Sequence, residues 1–139
     1  ETLVRARADC VGLGVDARAR ALRSGWDRRR AEELGLVVIE LTNNSVRHAG
    51  GALVRLRIDA ERAVLDVEDR GPGFPAWLLA RMRKGESIAS GPDLHATGLG
   101  AGIDSARRLS DELALENLPG GGARARSILV GSKRKANPT

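Results

Sequence analysis

Three side chains carry the first hint of chemistry: Glu40, Asn44 and His48. They are spaced i, i+4, i+8. At about 100° per residue this set drifts only about 40° per step, so on an α-helix the three form one polar stripe. Arg47 falls on the same side. Leu34, Val38, Leu41 and Ser45 fall about a quarter turn away, on a face that reads as buried. A carboxylate one turn before a carboxamide suits a base beside a metal ligand. A solvated polar face has the same pattern, so the stripe gains meaning only from partners elsewhere in the chain.

Two glycine motifs offer them. Asp69-x-Gly71-x-Gly73 follows an alternating apolar stretch. Glycines at a strand end let the backbone turn sharply and approach a ligand. A carboxylate there can accept a hydrogen bond from an amino group, such as N6 of adenine. Gly98-x-Gly100-x-Gly102 precedes a helical rhythm, where backbone N–H groups at a helix N-terminus make a phosphate cradle. It is neither a Walker A loop, lacking Gly-Lys-Ser/Thr, nor a Rossmann fingerprint, lacking an immediately preceding strand. Each motif taken alone is equally an ordinary turn or hinge.

The elements that must position these residues follow from periodicity. Residues 2–9 alternate over their middle and predict a first strand near an edge. Residues 9–23 keep a helical rhythm despite Gly12 and Gly14. A long helix opens at Asp27 as N-cap, runs to about Ala49 and stops at Gly50-Gly51. Gly35 inside it marks a place where another backbone comes close. Residues 52–59 and 63–69 alternate cleanly and predict an antiparallel pair. A short helix over 75–84, a loop over 85–98, a helix from Ile103 to about Asp111, and strands at 113–117 and 123–130 complete the chain. Helices between runs of strands predict an α+β, two-layer sandwich: a mixed, mostly antiparallel sheet covered on one face.

Composition bounds the rest. The chain has 139 residues, 42% of them apolar and 29% charged, enough for one domain with one core. That domain is expected over 1–131, with a basic tail over 132–139 that includes Lys133-Arg-Lys135. No apolar run approaches 18 residues, and no signal peptide is visible, so no membrane role is expected. Cys10 is the only cysteine, which favours a reducing cytoplasm. The net charge of +5 comes from scattered arginines mixed with acids, and aromatics are 2%, so no nucleic-acid partner is expected.

Taken in order, the Glu-x-x-x-Asn helix, Asp-x-Gly-x-Gly and Gly-x-Gly-x-Gly resemble the GHKL ATPase superfamily, the Bergerat nucleotide-binding fold. Over residues 3 to 131 the chain looks most like small serine/threonine protein kinases of anti-sigma-factor and stressosome switches. Glu40 through Gly51 is similar to their N box, and Gly98 through Glu112 is nearer the switch-kinase branch. The resemblance implies ATP and Mg²⁺, with Asn44 holding the metal and Glu40 acting as base toward an acceptor hydroxyl. It implies that Asp69 binds the adenine amino group, with Gly71 and Gly73 shaping the pocket. Gly98, Leu99, Gly100, Ala101 and Gly102 would contact phosphates, residues 75–97 would be the lid, and Arg47 and His48 would lie near the phosphate end. Partners implied are a STAS-domain substrate or scaffold, a phosphatase or a sigma-factor regulator. A monomer or weak homodimer is expected. The absence of a preceding phosphoacceptor helix argues against a complete histidine kinase. An alternative is a weakly catalytic module that sequesters such a partner. One position departs from the family: Ala123 stands where members commonly have Thr beside the adenine.

Overall fold

The computed structural model describes residues 1–88 and 100–131. In chain order the elements are β1 (Thr2–Val4), α1 (Arg7–Arg23), α2 (Arg28–Ala49), β2 (Ala52–Ile58), β3 (Arg62–Asp69), α3 (Ala76–Lys84), α4 (Ala101–Leu109), β4 (Glu112–Asn117) and β5 (Ala123–Val130). The strands form one sheet in the order β1-β2-β3-β5-β4. The expected sheet was mixed; all four pairings among the described residues are antiparallel. Side-chain alternation decides which face is covered. Val54, Leu65, Val67, Ala125 and Leu129 point to the core with Leu34, Val37 and Val38 of α2. The other face carries a grid of charges. Arg126 makes a bidentate pair with Asp66 at 2.8 and 2.9 Å, and Arg124 pairs with Glu116 and Glu68. That face is a solvated one, and the helices cover only its opposite.

The first strand ends sooner than residues 2–9 suggested. Asp9 Oδ2 accepts the N–H groups of Arg5 at 2.9 Å and Ala6 at 3.1 Å, closing the chain into a turn. Helix α1 therefore starts at Arg7 with Ala6 in the N-cap position. A carboxylate at the third helical position satisfies N–H groups that no carbonyl can reach. As expected, β1 lies at a sheet edge.

The glycines that weakened the prediction of α1 explain how it packs. A Cβ on Gly14 would lie 2.4 Å from Ile39 Cγ1 and 2.8 Å from the Gly35 carbonyl. A Cβ on Gly35 would lie 3.0 Å from the Gly14 carbonyl. The two glycines are the crossing point of α1 and α2, and the propensity cost of about 1 kcal/mol each is offset by backbone contact.

Helix α2 is bounded as its sequence dictates. Asp27 Oδ1 accepts the Arg30 N–H at 2.8 Å, and Gly50 ends the helix at φ 81°. Leu34, Val38, Leu41 and Ser45 are buried. Its N-terminal end is fastened by Arg30, whose side chain is 6% exposed. Arg30 donates to Val130 O at 2.8 Å, to Glu33 at 2.8 Å, to Leu109 O at 2.9 Å and to Asp111. Helix α4 begins two residues earlier than predicted because Gly100, at φ 110°, supplies the turn that opens it. Among the described residues, no helix is long and apolar enough to cross a membrane. The tail with Lys133–Lys135 and most of the expected loop over 85–98 lie outside the described residues.

Candidate functional site

Two residues of the helical stripe, Asn44 and His48, line a cleft at the C-terminal end of α2. Glu40, Asn44 and His48 are all half-buried. Beside them β3 ends at Asp69, and both of its carboxylate oxygens are oriented. Oδ2 accepts the Ser45 hydroxyl at 2.9 Å, and Oδ1 accepts the Gly71 N–H at 2.9 Å. Asn44, His48, Asp69, Gly73, Phe74 and Ala123 line a cavity of about 210 Å³. Ala123 is the residue that β5 pairs with Asp69.

The glycines of the first motif are required by close approach. A Cβ on Gly71 would sit 2.5 Å from Ala49 Cβ, so the loop lies directly against the end of α2. Gly73 has φ 87°, and its Cβ would sit 2.7 Å from Asn117 Oδ1. Such positive φ values are costly for residues with a side chain.

One buried polar atom of the residues that line the cleft has no partner. Nε2 of His48 is buried and makes no hydrogen bond, the only such side-chain atom among the described residues. Burial, and then the neighbouring Arg47 charge, hold the His48 pKa below its ordinary value, with Asp69 opposing. The imidazole is thus disposed to be neutral, with one ring nitrogen buried and left without a hydrogen bond. Buried polar groups without partners are rare and call for an explanation such as a ligand or water.

Glu40 meets the second glycine motif. A Cβ on Gly102 would lie 2.5 Å from Glu40 Oε1, so the carboxylate sits against the first turn of α4. Gly100 is buried and packs on Ile88; Ala101 is exposed. Gly98 and Leu99 lie outside the described residues. Arg47 is exposed on the rim of the stripe and does not line the cavity. The described structure therefore joins Asn44, His48, Asp69 and Gly73 in one cleft, and joins Glu40 to Gly102 beside it.

Two contributors escaped the sequence reading. Ser45 had been assigned only to the buried face; a hydroxyl in an otherwise apolar row was the available signal. Asn117 gave none, because its partner Phe74 is 43 positions away.

Asn44 lines the cleft, and its carboxamide oxygen is a hard donor of the kind that Mg²⁺ accepts.

Residues 5–125 match the histidine kinase-like ATPase domain family. The sensor protein CseC of Streptomyces coelicolor is 35% identical over 103 residues, covering 71% of this chain and 19% of that protein. The CseC of Streptomyces avermitilis is 35% identical over 101 residues, again 19% of its length. The chain thus corresponds to about a fifth of these relatives. Among solved structures, the SiaB–SiaC complex from Pseudomonas aeruginosa aligns with TM-score 0.62 and 20% identity, covering 93% of this chain and 89% of that one. The mycobacterial sensor histidine kinase MprB aligns with TM-score 0.55 and 20% identity, covering 94% and 97%.

Proposed function

The chain belongs to the histidine kinase-like ATPase domain family, of GHKL type, and from that premise we propose that it is a Mg²⁺-dependent serine/threonine protein kinase of a bacterial partner-switching pathway. The observation that carries this reading is the convergence of Asn44, His48 and Asp69 on one cleft, with Glu40 against Gly102 at its margin. The cavity is smaller than the ~300–1,000 Å³ usual for small-molecule sites, which suits the base end of a nucleotide rather than all of it. Asp69, already oriented by Ser45 and Gly71, keeps lone pairs to accept an exocyclic amino group. The N–H groups at the start of α4 favour phosphate.

In the transfer step, an acceptor hydroxyl oxygen forms a bond to the γ-phosphorus. The bond from that phosphorus to the β–γ bridging oxygen breaks, and ADP leaves. Glu40 takes the hydroxyl proton, a contribution typically worth about 10²–10⁴ in rate. Asn44 would hold Mg²⁺, which would neutralise charge on the phosphate oxygens when bound.

The acceptor is proposed to be a Ser or Thr of a STAS-domain protein or scaffold, from the switch-kinase character of Gly98–Glu112. The likeness to the SiaB–SiaC complex supports a protein partner. A second reading, transfer to histidine, draws on the identity with CseC, named a sensor protein, and on the folds of named histidine kinases.

Calorimetric titration with Mg-ADP, wild type beside Asp69→Asn, tests the cleft; binding should be lost in the variant. Radiolabel transfer to candidate STAS proteins then tests the chemistry. An acid-stable phosphoryl product that disappears in Glu40→Ala fits the proposal. An acid-labile product points to histidine, and full transfer by Glu40→Ala refutes the base.

A further inference from the structure

Asn117 is the last residue of β4 and does not line the cleft. Its carboxamide nevertheless reaches the loop that does. Oδ1 accepts the Phe74 N–H at 2.6 Å, and Nδ2 donates to the Phe74 carbonyl at 3.0 Å. One side chain therefore copies the paired hydrogen bonds of an antiparallel strand neighbour. Gly73 makes the approach possible, since a Cβ there would collide with the carboxamide.

The turn after Asn117 holds the same loop at a second point. Leu118 N–H donates to Gly122 O at 2.9 Å. Gly122 packs so closely on the Asp69 carbonyl that a Cβ would lie 2.1 Å from it. The next residue, Ala123, is cleft wall. The β4–β5 hairpin thus grips the Asp69–Phe74 loop at both ends, by backbone contact at Asp69 and by the Asn117 side chain at Phe74.

We propose that Asn117 is a positioning residue for base recognition: by fixing the main chain of Phe74 it sets the wall formed by Gly73 and Phe74 at its working distance from Asp69. The inference rests on the nucleotide reading of the cleft. Asp69 accepts from one edge of the base, and selectivity among bases depends on how the Gly73–Phe74 wall holds that edge in line. Releasing Phe74 lets the wall move while Asp69 keeps its own partners, Ser45 and Gly71.

The test is calorimetric affinity for Mg-ADP and, by competition, Mg-GDP, with wild type, Asn117→Ala and Glu116→Ala. Glu116 is the neighbour on the same strand and pairs with Arg124 on the outer face, so its variant is expected to bind as wild type does. Asn117→Ala should weaken Mg-ADP by up to about thirtyfold, the scale of two neutral hydrogen bonds, and should lower the preference for ADP over GDP. A merely structural loss would weaken both nucleotides alike and leave the ratio unchanged. If Asn117→Ala does not fold, Asn117→Ser, too short to reach both Phe74 groups, should lower the ratio in the same direction. An unchanged ratio in a folded variant overturns the proposal. Failure of the wild type to bind Mg-ADP overturns instead the nucleotide reading on which it rests.

Discussion

The two ends of helix α2 are built on opposite plans. At the N-terminal end, Arg30 is buried, and its guanidinium is spent on Glu33, Asp111 and the carbonyls of Leu109 and Val130. Asp111 also accepts the Val130 N–H at 2.7 Å. At the C-terminal end, Asn44, Asp69 and His48 surround a cavity, and His48 Nε2 has no partner. A crevice of about 550 Å³ opens at the Arg30 end, larger than the cleft at the other. The larger crevice is the one whose charges are already paired, and the smaller cavity is the one beside an unmade hydrogen bond. Charges already paired within the chain hold elements together and offer a ligand little. Polar groups held in place but left incomplete are poised to bind.

This contrast can be broken by experiment. The largest effect is expected at the finished end. Arg30→Ala removes the buried guanidinium that joins Asp111, Glu33 and the carbonyls of Leu109 and Val130, and should cost about 3–5 kcal/mol of stability by urea denaturation. Where folded protein remains, its affinity for Mg-ADP should be near that of wild type. A stability change within experimental error would end the view of Arg30 as the fastening.

Ser45→Ala probes the unfinished end. It removes the hydroxyl that orients Asp69 and should cost about 1 kcal/mol. That loss should appear in nucleotide affinity as a several-fold weakening. Unaltered affinity would mean that Gly71 alone suffices to orient the carboxylate.

The smallest effect is in pH dependence. His48 has an ordinary pKa of 6.5, lowered by burial and by Arg47. Below pH 6.5 the folded chain binds fewer protons than the unfolded chain. The stability contributed by a neutral His48 is thus present above 6.5 and is lost as pH falls toward its lowered folded-state value. The stability of wild type minus that of His48→Gln should decline over that window, by at most ~1.4 kcal/mol per pH unit. Parallel pH profiles for the two proteins would contradict a neutral, buried His48.

Much of this architecture was legible in the chain. The alternation of residues 52–59 and 63–69, the Asp27 cap, the Gly50 stop and the apolar row of α2 each follow from local periodicity or backbone chemistry; the strands are present within a residue of those bounds, and the cap, stop and apolar row are present too. The boundary between β1 and α1 departs from the alternation of residues 2–9, because Asp9 closes a local turn within it. The all-antiparallel sheet was not legible, because strand order depends on pairings between distant segments. Of the site, the polar stripe and both glycine motifs were visible as residue types at set spacings.

What the sequence determined by itself was local: periods of 2.0 and 3.6, caps and turn glycines, which arise from backbone geometry within a few residues. What only the tertiary structure decided was which of those features meet. It set Glu40 against Gly102, Ser45 on Asp69, Asn117 on Phe74 and Arg30 on Asp111. Those pairs lie 24 to 81 positions apart for the three hydrogen-bonded ones. Hydrogen bonds and close contacts act over a few ångströms in space and are indifferent to distance along the chain, so only the packed fold brings such groups within reach.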